Sequence, residues 1–311
     1  MTHPKLPSIG IIVLNWKQPQ LTAQTIKSLT AIQTPTFSYH IYLVDNHSDD
    51  GSYQYLAKLF LPKNITLSQT SENLGFVGGN NFGISQALEN NCDYVLIINN
   101  DVLVDPQFLI HLVADAESDP TIGLVGPKIY FAPGHEFHHH YKKNNIGRVI
   151  WSAGGIIDWQ NVLGHNIGID EVDSGQYDQP REVDFLSGCC LLVKSKIFRT
   201  VGLLNNDYFM YLEDDEFCQR VKKAGFSVHY QPKSVIWHIN AGSSRAGGGS
   251  LHDYFLTRNR LIFGYQYAST RTKVALIRDS IRRLFIGTNW QRRGVIDYYL
   301  HRWGRGSWPQ K

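Results

Sequence analysis

Along the first half of the chain, apolar residues come in short blocks that each end on a polar residue. Between the blocks lie stretches whose apolar positions recur every three or four residues. The blocks "SIGIIVLN", "HIYLVDN", "YVLIINND" and "IGLVG" are rich in β-branched residues and too short for helices, which predicts strands over 9–14, 41–44, 94–98 and 122–126. Segments 20–32, 53–60, 80–89 and 106–117 carry the helical period, the last opened by Pro106. This alternation predicts an α/β protein with a mostly parallel central sheet flanked by helices, in which ligands sit beyond the carboxyl ends of the strands.

Three predicted strands end in polar residues on that rim: Asn15, then Asp45 and Asn46, then Asn99, Asn100 and Asp101. One such residue serves a turn or a helix start, whereas three on one rim point to a binding crevice. A carboxylate at a strand end suits a divalent cation, which takes hard oxygen ligands, so Asp101 is the candidate ligand. Asn99 is uncharged and better suited to a sugar hydroxyl. The Asp45 carboxylate can accept the ring N–H of uracil or thymine, which guanine also offers. In "ENLGFVGGNNFG", the residues Asn73, Gly75, Gly78, Gly79, Asn80 and Gly83 read as a loop opening the helix at 80. Either close backbone approach to a ligand or a tight strand-to-helix turn accounts for it, and its spacing is neither a dinucleotide fingerprint nor a phosphate loop.

From 131 to 180 the periodicity is lost, and "HEFHHH" at 135–140 reads as a surface loop because adjacent histidines do not converge on one ion. Order returns with "VDFLSGCCLLVKSKIF" and with a helix after Glu213 that has Phe217, Val221 and Ala224 on one face and Gly225 as its stop. In "YLEDDEFCQR" four acids sit where a helix start tolerates them, and Asp214 is suited to take a proton from a hydroxyl. Carboxylates so close on one segment cannot flank a glycosidic bond, so a hydrolase pair is not suggested. A strand "FSVHY", a turn "QPKS" and the strand "VIWH" lead to His238, which by itself reads as a core histidine, and a flexible glycine-rich loop is expected over 240–250. Two more helices follow. In the second, Val274, Ile277, Ile281, Leu284 and Phe285 share a face with arginines on the other, a pattern for docking on the domain or for lying on an anionic membrane, with docking the expectation.

Composition adds little until position is considered. The 311 residues are 42% hydrophobic and 18% charged, an ordinary globular balance, and no apolar run approaches the roughly 18 residues of a membrane span. The N-terminus lacks the pattern of a signal peptide, and the four cysteines show no paired spacing, so a cytoplasmic protein with buried thiols is expected. The net charge of +3 hides a basic tail, in which Arg271, Lys273, Arg278, Arg282, Arg283, Arg292, Arg293, Arg302 and Arg305 face only Asp279 and Asp297. Interleaved with apolar residues, these arginines fit the inner face of a membrane better than nucleic acid. No feature selects an oligomeric state.

Read in order, "VDNHSDDGS", "ENLGFVGGNNFG", "INNDVLVDP", "SGCCLLV", "YLEDDEFCQR", "WHINAGSS" and "RNRLIF" make the chain resemble family 2 glycosyltransferases of the GT-A fold, especially bacterial rhamnosyltransferase-like members, over roughly 8–265. The resemblance implies a GT-A domain over 1–240 and a loop with a basic helical extension over 241–311. It implies an inverting transfer from a nucleotide-diphosphate donor, dTDP-rhamnose or a UDP-sugar, to a glycan or lipid-linked acceptor in surface polysaccharide synthesis. Asp45 would bind the base, Asn99 and Asp101 hold the outer positions of the Asp-Xaa-Asp motif, and Asp101 with His238 would bind Mg²⁺ or Mn²⁺. Asp214 stands at the general-base position and Glu213 beside the acceptor. Asn15, Asn46, Asn73, Gly79 and Asn80 line the donor crevice, Arg258 faces the diphosphate, and the 240–250 loop closes over the donor. Asparagine at 99 departs from the motif and removes one negative charge near the ion. A nucleotidyltransferase and a sugar-nucleotide-binding protein without turnover are the alternatives.

Overall fold

The computed structural model describes residues 6–59, 62–138, 141–239 and 249–309; most of the glycine-rich 240–250 loop, and His139 and His140 of the histidine run, lie outside them. The first half runs β1 (Ser8–Asn15), α1 (Pro19–Leu29), β2 (Ser38–Asp45), α2 (Ser52–Lys58), β3 (Ile65–Gln69), α3 (Gly75–Glu89), β4 (Tyr94–Asn99), β5 (Val102–Val104), α4 (Phe108–Ser118) and β6 (Ile122–Phe131). Strands β3, β2, β1 and β4 pair in parallel in that order. Their blocks are continuously apolar because both sheet faces are covered. On one face Ile12, Val95 and Ile97 join the core beneath α3; on the other Ile9, Ile11, Val13, Leu96 and Ile98 pack with Ile26, Leu109 and Leu112 of α1 and α4.

The 131–180 stretch is not structureless. It forms β7 (Ile150–Ser152), the hairpin of β8 (Gly155–Asp158) and β9 (Leu163–Asn166), and an ordered loop leading to β10 (Arg181–Glu182). Lys128, buried on β6, anchors that loop with 2.8 and 2.5 Å contacts to Asp173 and Asp178. Then come β11 (Cys190–Lys194), α5 (Ser195–Val201), α6 (Glu213–Lys223) and β12 (Ser227–His238). Strand β11 enters antiparallel between β4 and β6, and β12 runs parallel to β6 on the far side. The turn expected at "QPKS" is instead a register shift between Gln231 and Val235 within one strand. This bulge carries His238 opposite Val102 of β5, next to Asp101.

Two further expectations are corrected. The glycine segment is the first half of α3, not a loop. Gly79 and Gly83, four apart, face β1 so closely that a Cβ on them would stand 2.5 Å from Leu14 Cδ1 and 2.5 Å from Ile12 Cγ2. The helix uses its glycines to lie against the sheet. The last helices are α7 (Ser250–Tyr267), α8 (Thr270–Ile286) and α9 (Asn289–Tyr299). Leu261, Phe263, Leu276 and Val295 from them join the buried cluster that includes Val77, Phe185 and Phe217. The apolar stripe expected to dock α8, however, mostly points outward: Val274, Ile277, Ile281 and Phe285 are exposed, while Leu284 of that stripe packs on the core beside the buried Leu276 and Ser280.

Candidate active site

Parallel register brings the polar strand ends together, since Asn15 is level with Asp45 and Leu14 with Asn99. Asn15 donates from Nδ2 to Asp45 Oδ2 at 2.7 Å and accepts at Oδ1 from Thr22 at 2.7 Å. The other oxygen of Asp45 takes the Ser48 N–H and the Gln69 amide, each at 2.9 Å. Asn15 and Asp45 are fully buried. Asp45 is thus the knot of the rim and not an open acceptor; a base N–H reaching it would have to displace a donor such as Gln69.

Other candidates on this side also hold protein. Asn46 donates to Asn73 Oδ1 at 3.1 Å and to the Gly75 carbonyl at 3.0 Å, and accepts from Leu74 N–H at 3.0 Å. It clamps the turn into α3, where Gly75 has φ of +72° and a Cβ would strike Phe209 at 2.5 Å. Asn73 is half-buried, Asn80 spends its amide on the Phe76 carbonyl at 2.9 Å, and Gly79 is a packing residue. A cleft of about 730 Å³ beside α3 is lined by Glu72, Asn73, Asn81, Asn206 and Arg305, and neither Asp45, Asp101 nor Asp214 lines it.

The second group converges at the ends of β4, β11 and β12. His238 Nε2 lies 3.1 Å from Asp101 Oδ1, both side chains largely buried. The His238 ring stands edge-on to Trp151 at 4.8 Å, and its Nδ1 has no hydrogen-bond partner among the described residues. Two ligands bound at roughly 2.1–2.2 Å and right angles to one ion stand about 3 Å apart, so this pair fits a shared divalent cation. The described residues hold no cluster of three metal-binding side chains, which leaves the remaining positions to the oxygens of a ligand or to water. Asn99, half-buried, donates its backbone N–H to the Cys189 carbonyl at 2.9 Å.

Asp214 enters the same place from α6. Its Oδ2 accepts the Gly188 N–H at 2.9 Å and its Oδ1 the Asp215 N–H at 3.0 Å. Burial raises the Asp214 carboxyl above the ordinary aspartate range despite these bonds. A raised carboxyl is a stronger base near neutral pH. Burial, then repulsion from Asp214, raises Glu213, whose Oε2 is buried without a partner among the described residues. Asp215 behaves likewise, with burial first and Asp214 second. Glu216 is structural, held by Arg220 at 2.8 Å and by the Tyr267 hydroxyl at 2.9 Å. The Cys189 carbonyl takes the Asn99 N–H and the preceding Gly188 N–H goes to Asp214, so this one turn borders both the end of β4 and Asp214; burial raises the Cys189 thiol.

Sequence reasoning missed what sets Asp214. Phe209, Tyr211 and Leu212, directly before α6, have φ of 64°, 69° and 68°, costly for residues with a Cβ. Asn259 Nδ2 lies 2.8–2.9 Å from the carbonyls of Tyr208, Met210 and Tyr211. Arg258 is fully buried, with its guanidinium on the carbonyls of Asp207 and Tyr208 at 3.0 Å and of Arg302 at 3.2 Å. That corrects its assignment to the diphosphate: its donors go to these carbonyls and to the Asn259 Oδ1 at 3.0 Å. The signal was the adjacent "RN" itself, two donor-rich side chains on a helix that has to pack.

Comparison with known proteins agrees with this architecture. The family description Glycosyl transferase family 2 matches residues 8–202. An N-acetylglucosaminyl-diphospho-decaprenol L-rhamnosyltransferase of Mycobacterium tuberculosis is 30% identical over 66% of this chain and 67% of its own. The low-salt glycan biosynthesis hexosyltransferase Agl10 of Haloferax volcanii is 24% identical over 72% of this chain and 64% of its own, so this chain spans about two thirds of the length of these relatives. Among solved structures, GalNAc-T7 with UDP, GalNAc and Mn²⁺ aligns with a TM-score of 0.62 at 15% identity, over 91% of this chain and 59% of that one. The mannosyltransferase PcManGT of Pyrobaculum calidifontis, with GDP-Man and Mn²⁺, aligns at 0.55 and 13% identity, over 99% and 90%. The fold is GT-A.

Proposed function

The chain belongs to glycosyl transferase family 2, and from that premise we propose that its crevice moves a sugar from a nucleotide-diphosphate donor to an acceptor hydroxyl with inversion at the anomeric carbon. The observation that carries this reading is the 3.1 Å approach of His238 to Asp101 together with the Gly188–Cys189 turn, whose N–H binds Asp214 and whose carbonyl binds Asn99 at the strand end leading to Asp101. Asp101 and His238 would hold Mg²⁺ or Mn²⁺, which when bound offsets the charge on the departing diphosphate. Asp214 takes the proton of the acceptor hydroxyl as that oxygen attacks from the face opposite the leaving group, so one displacement inverts the centre. Glu213 lines the acceptor side next to the base. Asn99 serves a donor hydroxyl, and Asn15, Asp45 and Asn46 fix the wall against which the base stacks.

For the donor we favour dTDP-rhamnose, with a UDP-hexose as the second choice, since the Mycobacterium relative is named a rhamnosyltransferase. For the acceptor we favour a glycan or a lipid-linked saccharide in polysaccharide assembly, in keeping with the diphospho-decaprenol in that relative's name. The basic C-terminal helices would then face the membrane that carries such an acceptor.

A thermal-shift screen of nucleotide sugars with and without Mn²⁺ tests the reading. A true donor raises the melting point only with the cation, because it binds the native state alone. If no nucleoside diphosphate or nucleotide sugar moved the melting point in either condition, the reading would be wrong.

A further inference from the structure

Val274, Ile277, Ile281 and Phe285 form an exposed stripe along α8, and the most exposed residues, Phe285 at 75% and Ile286 at 67%, lie at its end. At 100° per residue, Arg271, Arg278 and Arg282 stand on the adjoining face, and all three are exposed. Beyond them, Ile296 and Leu300 are exposed on and just after α9, and the Ser280 and Tyr299 hydroxyls, 2.8 Å apart, hold the two helices together. Nearby acids are already engaged: Asp279 sits between Arg260 and Arg283, each at 2.9 Å, and Asp297 is fully buried. The face therefore offers hydrocarbon flanked by arginines, with the half-buried Asp253 at its Thr288 end bonded to Thr288 and Gln291.

We propose that this face rests on a membrane surface containing anionic phospholipid, with the apolar stripe at the acyl boundary and the arginines at the phosphates. Charge complementarity selects this occupant. A second copy of the chain meeting the same face would set arginine against arginine, whereas a bilayer supplies opposite charge at the headgroups and hydrocarbon below. The proposal extends the lipid-linked acceptor reading and gives it a geometry. Thr288, at the corner between α8 and α9, donates to Asp253 at 2.8 Å. The neighbouring His252 ring stands edge-on to Tyr211 at 5.5 Å, two residues before Glu213. The end of α8 carrying Phe285 and Ile286 is thus tied through α7 to the segment that leads into the proposed base.

Co-sedimentation with vesicles tests the surface directly. The full chain pellets with phosphatidylglycerol-containing vesicles and not with phosphatidylcholine alone, and loses binding severalfold between about 0.1 M and about 0.5 M salt. Phe285→Ser combined with Ile286→Ser weakens binding about tenfold, and Arg278→Gln with Arg282→Gln does so as well. All variants keep the melting-point shift given by UDP or dTDP with Mn²⁺. The proposal is overturned if the wild type stays in the supernatant, if the variants pellet equally, or if sedimentation equilibrium finds a dimer that the Phe285→Ser, Ile286→Ser variant loses. Vesicle binding without any nucleotide-dependent shift leaves the surface standing and removes the functional reading; the shift without vesicle binding does the reverse.

Discussion

The Gly188 N–H points at Asp214 Oδ2 from 2.9 Å, and the next carbonyl, that of Cys189, accepts the Asn99 N–H at the same distance. A single turn of backbone therefore registers Asp214, the proposed base, against the strand end that leads to Asp101. A Cβ at 188 would lie 3.2 Å from Phe76 Cζ and 3.8 Å from Asp214 Cβ. Gly188→Ala is expected to crowd this junction and lower kcat about tenfold with donor affinity held within about twofold, since small misplacements of a reacting group are costly. Steady-state kinetics with separate donor titration checks it.

Asn259 holds three carbonyls around the left-handed residues ahead of α6. Asn259→Leu leaves those carbonyls without their donor and is expected to cost about 2–4 kcal/mol, measured by urea unfolding. The surviving native fraction should show lower kcat with little change in donor binding, because the damage falls on the segment that sets Asp214, the proposed base, and not on the Asp101–His238 pair.

Asp215 gives a pH prediction. Burial raises its folded pKa above the unfolded value, so the native state binds more protons than the unfolded one between about pH 4 and the raised value. Its contribution to stability is most favourable at low pH and declines as pH rises through that window. Asp215→Asn should accordingly be more stable than the wild type at pH 7 to 8, with the difference vanishing near pH 4. Urea midpoints across that range report it, and an advantage growing towards acid pH would reverse the sign of the argument.

Gly79 separates packing from ligand binding. With a Cβ 2.5 Å from Leu14 Cδ1, Gly79→Ala is expected to destabilise by about 1–3 kcal/mol through overpacking. The folded enzyme should keep its nucleotide affinity, which calorimetric titration measures.

The strand-end rim was legible in the sequence because continuous apolar blocks ending in polar residues have one reading in a sheet covered on both faces. The same local reasoning mistook Gly75 to Gly83 for a loop: glycine lowers helix propensity, and only the tertiary demand of β1 for a close neighbour makes glycines every fourth residue a helix face. Arg258 was misassigned for a similar reason, as its partners are carbonyls some 50 residues away that no local pattern shows. On α8 the period identified which residues share a face but not which face the domain covers. Leu276, Ser280 and Leu284, each four apart, turned out to be the contact, and only Leu284 belonged to the expected stripe.

In the proposed mechanism the Asp101–His238 pair and Asp214 make separable contributions, and Asp214→Asn divides them most directly. Donor binding in the presence of Mn²⁺ and sugar transfer should be measured on the same preparation, alongside Asp101→Ala. The account predicts that Asp214→Asn binds donor like the wild type and loses about 10²–10⁴ in transfer rate, while Asp101→Ala loses the cation-dependent binding. Transfer by Asp214→Asn at the wild-type rate would contradict it.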